Sequence, residues 1–255
     1  MSDKQDILAQ LVRMSRHLGK PKRDYVILGD GNTSARTGED TFLVKASGRP
    51  LHKIDPDGFV ECRLSAVLEM LERGPLTDAQ VAESLRGARV RAGPAGKPSI
   101  ECILHALALT SGGAQFVGHS HPVALMSILC ASGAEAALSG RIFSEEILYC
   151  GAAPVFVPYA DPGLPLAHAA RAMLQNHLDT FGEPPKVILL QNHGLVALGQ
   201  TPLEVENITA MSVKAARVLL GTYALGGPRF LAERQVARIL NRPDERYRRD
   251  LACQL

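Results

Sequence analysis

The chain has 255 residues, with 28 Lys+Arg against 26 Asp+Glu and a formal net charge of +2. That balance, without a basic stripe, excludes a nucleic-acid binder that works by neutralising phosphates. A content of 46% hydrophobic and 21% charged residues excludes disordered, coiled-coil and collagen-like chains. The best apolar runs, Ile100–Leu109 and Val123–Ala131, reach only about half of the ~20 residues that a membrane span needs. The opening Ser2, Asp3, Lys4, Gln5 and Asp6 do not read as a signal peptide, so a cytoplasmic protein is expected. Cys62, Cys102, Cys130, Cys150 and Cys253 form no CxxC pair, which fits a reducing compartment and disfavours a thiolate zinc site or a disulfide framework.

Ile7, Leu8, Leu11, Val12 and Leu18 fall at helical spacing and stop at Gly19, which predicts an opening amphipathic helix. Tyr25–Leu28 and Phe42–Val44 read as strands on either side of a polar, Gly-rich turn. Helices follow at Leu64–Leu71 and Thr77–Arg86, the second with Thr77 and Gln80 spaced as a capping box. Ala92–Pro98 is the most loop-like stretch, and Ser99 is placed to cap an apolar helix running to about Thr110. Then come a strand, Gln115–His119, and a helix with Pro122 near its first turn. Val155–Val157 and Val187–Gln191 are further strands, separated by a helix from about Leu166 to Phe181. Asn192, His193 and Gly194 interrupt two apolar runs and predict a tight strand-turn-strand. Thr201, Pro202 and Glu204 open a helix that reaches about Tyr223. No repeat or linker divides the chain, so the expectation is one α/β domain over residues 1–255, with a C-terminal tail from about residue 226. The strands follow each other closely enough to suggest a mixed or antiparallel sheet.

His119 and His121, at i and i+2, project to one face of a strand or its end, so both imidazoles can reach one ion. His193 sits at another predicted strand terminus, beside a glycine that permits a sharp turn. Three neutral imidazoles and one carboxylate suit a divalent transition metal, zinc first, with manganese or cobalt as alternatives. Glu101 is the carboxylate candidate: it stands in an otherwise apolar helix, where a lone buried carboxylate costs several kcal/mol unless paired, protonated or metal-bound. His105, at i+4, lies on the same helix face and is placed either as its hydrogen-bond partner or as a residue that supports the metal ligands from behind. Three places can hold an anion: the turn Gly29–Ser34, Ser47–Gly48 after a strand, and Ser99 at a helix start.

Gly31-Asn32-Thr33-Ser34, Lys45-Ala46-Ser47-Gly48, Pro98-Ser99-Ile100-Glu101 with His105, Gly118-His119-Ser120-His121-Pro122 and Gln191-Asn192-His193-Gly194, in this order, resemble the class II aldolase/adducin family. That group contains fuculose-phosphate and rhamnulose-phosphate aldolases and ribulose-phosphate 4-epimerases. The resemblance implies a three-layer α/β/α sandwich around a mostly antiparallel central sheet, and a homotetramer with sites at subunit interfaces. It implies that His119, His121 and His193 bind a divalent metal, with Glu101 as fourth ligand or catalytic base. Gly31, Asn32, Ser47, Gly48 and Ser99 would hold the substrate phosphate. The chain departs from many sugar-phosphate aldolases at Ile100, where they carry a second serine, so one hydroxyl contact to phosphate is missing and a non-phosphorylated acidic substrate becomes an alternative.

The expected activity is therefore cleavage of a short sugar phosphate or related hydroxy-ketone through a metal-stabilised enediolate, with Glu101 shuttling protons. Tyr247, in the charged segment after Arg242, is the candidate acid for the aldehyde oxygen. Epimerase or decarboxylase chemistry at the same centre is the nearest rival. A non-enzymatic module like the adducin head would be expected to lack the metal ligands, and all of them are present here. A metal-dependent hydrolase built on the His pair would need a repeated βα pattern that the sequence does not show.

Overall fold

A computed structural model describes residues 3–91 and 96–244. Helix α1 (Lys4–Leu18) is capped by the Asp3 side chain and buries Leu11, Met14 and Leu18. Strands β1 (Asn32–Arg36), β2 (Thr41–Lys45) and β3 (Phe59–Arg63) follow, then helices α2 (Leu64–Leu68), α3 (Asp78–Gly87) and α4 (Cys102–Leu109). Strand β4 (Phe116–Ser120) leads into α5 (Val123–Leu129), α6 (Ala134–Ala137) and α7 (Ser144–Cys150). The remainder is β5 (Val155–Val157), α8 (Leu164–Phe181), β6 (Val187–Leu190), β7 (Gly194–Gly199), α9 (Pro202–Thr222) and α10 (Glu233–Asn241). None of the helices is long and apolar enough to cross a membrane among the described residues.

The seven strands form one sheet in the order β3-β2-β1-β4-β7-β6-β5, antiparallel throughout except for the β5–β6 pair. Both faces are covered, which is why the strands read as near-continuous apolar runs. Phe42, Val44, Val117, Ile188, Leu190, Val196 and Leu198 pack with α2, α3, α4 and α8 on one face. Leu43, Phe116, Val187, Leu189, Leu195 and Ala197 pack with α1, α5 and α9 on the other. The result is a three-layer α/β/α sandwich.

Three sequence expectations need correction. Tyr25–Leu28 is an irregular loop and not a strand: Leu28 is left-handed, and Asp30 Oδ1 accepts the Ile27 N–H, so the segment folds back on itself. The polar stretch read as a turn instead carries β1, whose Asn32, Thr33 and Ser34 are buried between β2 and β4. The helix after Ser99 starts only at Cys102: Ser99 takes the Cys102 N–H on its carbonyl and the Glu101 N–H on its hydroxyl, making a turn that leads into the helix. Strand β3 and helices α6, α7 and α10 carry no counterpart in the sequence reading; α10 occupies part of the expected tail.

Candidate metal centre

The cluster forms at one end of the sheet because the register brings it there. Asn32 at the start of β1 pairs with His119 near the end of β4, and His119 pairs with Val196 of β7. His121 follows two residues on. The β6–β7 turn carries His193, with Asn192 in the left-handed region and the His193 N–H donating to the Leu190 carbonyl. Gly194 makes the approach possible: a Cβ there would lie 2.6 Å from the Ser120 carbonyl oxygen and 2.7 Å from the His121 ring. The three rings consequently sit with centroids 4.7 to 5.2 Å apart.

Each imidazole is oriented by its second nitrogen or by its surroundings. His119 Nδ1 donates to the Leu195 carbonyl at 3.0 Å and so turns Nε2 inward, 2.8 Å from His121 Nε2. Asp30 lies 3.4 Å from His121 Nδ1 and turns that ring's Nε2 inward. Glu101, only 8% exposed just before α4, places Oε1 at 2.8 Å from His193 Nε2 and 3.4 Å from His119 Nε2. Burial alone would raise the Glu101 carboxyl, but the charge and hydrogen bond of His119, then those of His193, outweigh it and hold the group well below the usual carboxylate range. Burial, then the charges of His119 and His193, lower His121 to about 3.

One nitrogen atom from each of His119, His121 and His193 lies within 4.8 Å of the others, and the three can hold a metal ion. The donor set fits that group. The Nε2 atoms of His119 and His121 face each other at 2.8 Å, Glu101 Oε1 stands against His193 Nε2 and His119 Nε2, and the buried Nδ1 of His193 has no hydrogen-bond partner among the described residues. A divalent cation is satisfied by converging imidazole nitrogens and a carboxylate oxygen of this kind.

The three predicted anion-binding pieces also gather here. An antiparallel bridge between Ala46 and Pro98 sets Ser47–Gly48 beside Ser99, and the Ser47 N–H donates to the Lys97 carbonyl. Asn32 Nδ2 lies 3.3 Å from Ser99 Oγ and donates to Glu101 Oε2 at 2.5 Å. Gly31 has φ +66°, and a Cβ there would meet the His119 carbonyl oxygen at 2.8 Å, so the turn into β1 requires glycine. Gly48 has φ +77°. Ile100 is half exposed and packs toward Gly163. Tyr247 lies outside the described residues.

Of the two expectations for His105, the direct side-chain bond to Glu101 is not formed, and the ring reaches Glu101 through Asn32. It touches Asn32 and Ser34 on β1, while Glu101 takes its contacts from Asn32, His119 and His193. The two residues still share an i,i+4 backbone bond, the Glu101 carbonyl accepting the His105 N–H at 3.0 Å, while their side chains turn to different partners. Burial, then the charge of His119, lower His105 to about 3 and keep it neutral. Two residues of the site, both inside motifs marked in the sequence, carried no role of their own there. Lys45, 2% exposed at the end of β2, donates to the carbonyls of Gly29 and Arg49 and ties two of the anion-binding turns together. Asp30 braces His121. A lysine closing the apolar run Phe42–Val44 is the one signal that marks Lys45 in the chain.

A mostly antiparallel three-layer sheet with three imidazoles and a buried carboxylate at one end defines a class II aldolase-like protein. The family described as Class II Aldolase and Adducin N-terminal domain matches residues 9–220, and the chain belongs to that family. The Bacillus subtilis (strain 168) protein YuxG, described as an uncharacterized oxidoreductase, is 29% identical over 181 residues, which make up 68% of this chain; the match spans about a quarter (24%) of that relative's length. An L-fuculose 1-phosphate aldolase structure superposes with a TM-score of 0.68 at 18% identity, covering 92% of this chain and 94% of its own. YgbL from Klebsiella pneumoniae, named as a candidate aldolase, epimerase or decarboxylase, superposes with a TM-score of 0.69 at 20% identity, over 94% of this chain and 100% of its own. At these identities the structural matches speak for the fold.

Proposed function

We propose that the protein is a divalent-metal-dependent carbon–carbon lyase of the aldolase type, acting on a short sugar phosphate or related hydroxy-ketone. The observation that carries this reading is the convergence of His119, His121, His193 and the Glu101 carboxylate next to three turns suited to an anion. His119, His121 and His193 would hold a divalent metal, zinc first with manganese or cobalt as alternatives, which when bound would supply Lewis acidity to a substrate carbonyl. Glu101 has its Oε1 turned into the site and its Oε2 held by Asn32, and Oε1 is the atom that takes and returns the proton. The amides of Gly31 and Gly48, the Asn32 amide and the Ser47 and Ser99 hydroxyls bind the phosphate, with the Lys45 ammonium bracing the turns beneath it. Tyr247 is our candidate acid for the aldehyde oxygen.

A second reading, epimerase or decarboxylase chemistry on an acidic sugar, draws support from Ile100: the apolar side chain removes one hydroxyl from the cradle. A non-enzymatic assembly role is disfavoured by the retained histidines and carboxylate. Metal content of the chelator-free protein beside the His119→Ala/His121→Ala double variant tests the centre, and near-zero metal in both overturns it. Glu101→Gln is expected to keep the metal and lose ~10²- to 10⁴-fold in turnover. Released aldehyde, carbon dioxide and epimeric product, assayed in parallel on a panel of sugar phosphates, separate the three reactions.

A further inference from the structure

His105 is fully buried on α4, takes no place among the metal-binding nitrogens, and yet has both ring nitrogens engaged. Nε2 meets Asn32 Oδ1, which can only accept, so Nε2 carries the proton of the neutral ring. Nδ1 is then an acceptor, and the Ser34 hydroxyl 2.7 Å away must donate to it. With Oδ1 so occupied, Asn32 turns Nδ2 toward Glu101 Oε2 at 2.5 Å and Ser99 Oγ at 3.3 Å. Three hydrogen bonds thus run in one direction, from Ser34 through His105 and Asn32 to Glu101. Reversing any one of them would set the Asn32 carbonyl oxygen against the Glu101 carboxylate, two acceptors face to face. Hydrogen bonds aligned in this way polarise one another, and a single reversed member is costly in a buried site.

We propose that His105 is a positioning residue that fixes the donor direction of this chain, so that Glu101 presents Oε1 alone to the imidazole cluster and Asn32 presents its NH₂ to the anion cradle. The assignment of Glu101 to a metal centre is needed only for the second of the two measurements below.

The first measurement is independent of metal and activity. Long-range ¹H–¹⁵N spectra of the full chain, with the His105 signal assigned from its loss in His105→Gln, report the tautomer. The Nε2–H form is expected, and an Nδ1–H form in the wild type overturns the proposal. The second titrates zinc alone against a chromophoric chelator. His105→Leu is expected to weaken zinc binding by about 10- to 100-fold. His105→Gln keeps an N–H donor within reach of Asn32 Oδ1 and is expected to stay within a few-fold of wild type. Equal affinity in the Leu variant, or equal loss in both folded variants, overturns the positioning role. If wild-type protein takes up no zinc, the metal reading fails by itself and the tautomer decides the proposal. If His105→Leu does not fold, the Gln variant and the wild-type tautomer decide it.

Discussion

Gly194 shows how much one missing methyl group decides. Its Cβ would press on the Ser120 carbonyl, which is backbone and cannot swing aside, and on the His121 ring. Gly194→Ala is therefore expected to lose about 1–3 kcal/mol of stability through overpacking and to weaken zinc binding in the same variant; urea unfolding and a zinc titration check both. Lys45 is the second residue with a sharp consequence. Burial comes first among the influences on its amine and lowers its pKa, against the smaller raising effects of Asp30 and Glu101. Between the depressed native value and the ordinary value of about 10.4, the unfolded chain holds a proton that the native state has released. Stability then rises with pH across that window, and the cost of the buried charge is fully present below it. Lys45→Met removes this term, so the unfolding free energy of wild type relative to Lys45→Met should climb as the pH rises toward the ordinary lysine value of about 10.4. A flat difference would show that Lys45 is not desolvated in the native state.

Among the elements, those with several turns or a chemical cap were legible in the sequence, and the short ones were not. Helix α9 starts where Thr201 accepts the Glu204 N–H, and α3 starts with the reciprocal Thr77–Gln80 bonds that the spacing foretells. The strand-turn-strand of β6 and β7 also follows from its two apolar runs. Strand β3 stayed hidden because it is short: Val60, Glu61, Cys62 and Arg63 alternate for only four residues before α2 begins at Leu64. Helix α7 stayed hidden because its signal is tertiary. Glu146 in its first turn is buried against Arg141, which also donates to the Cys150 and Gly151 carbonyls at the end of the same helix. One guanidinium thus fastens both ends of α7. Removing only one partner of this buried pair, as in Glu146→Ala, is expected to cost about 3–5 kcal/mol, and Arg141→Met/Glu146→Leu to recover part of it. A double-mutant cycle in urea measures the coupling, and purely additive losses would mean that the pair contributes nothing of its own.

At the scale of the whole molecule, two large apolar side chains stand exposed at the rim of the site. Ile27 and Leu28 are 71% and 83% exposed on the loop that ends in Asp30, next to His121. The expected homotetramer with sites at its interfaces would cover them. Leu28 is left-handed, a conformation that Asp tolerates better than Leu, so Leu28→Asp adds a charge to this loop without straining the fold. We expect wild type to sediment as a tetramer and Leu28→Asp as a smaller species. A wild-type monomer, or an unchanged tetramer in the variant, removes this loop from the interface.

The sequence by itself determined the residue types of the centre and the order in which they occur. The His119–Ser120–His121 spacing, the glycine after His193 and the lone acid at the head of an apolar helix are local facts, governed by backbone geometry and by the cost of burying charge. The tertiary structure alone decided which groups meet. Glu101 faces His119 and His193 because β4 and β7 pair in one particular register, and the His105 ring bonds to Ser34 and Asn32 because β1 lies against α4. Lys45 reaches the Gly29 and Arg49 carbonyls only when the Gly-rich turn folds over the end of β2. Local propensity specifies a residue's surroundings a few positions away; contacts between residues some seventy to ninety positions apart exist only once the sheet has closed and excluded water from both of its faces.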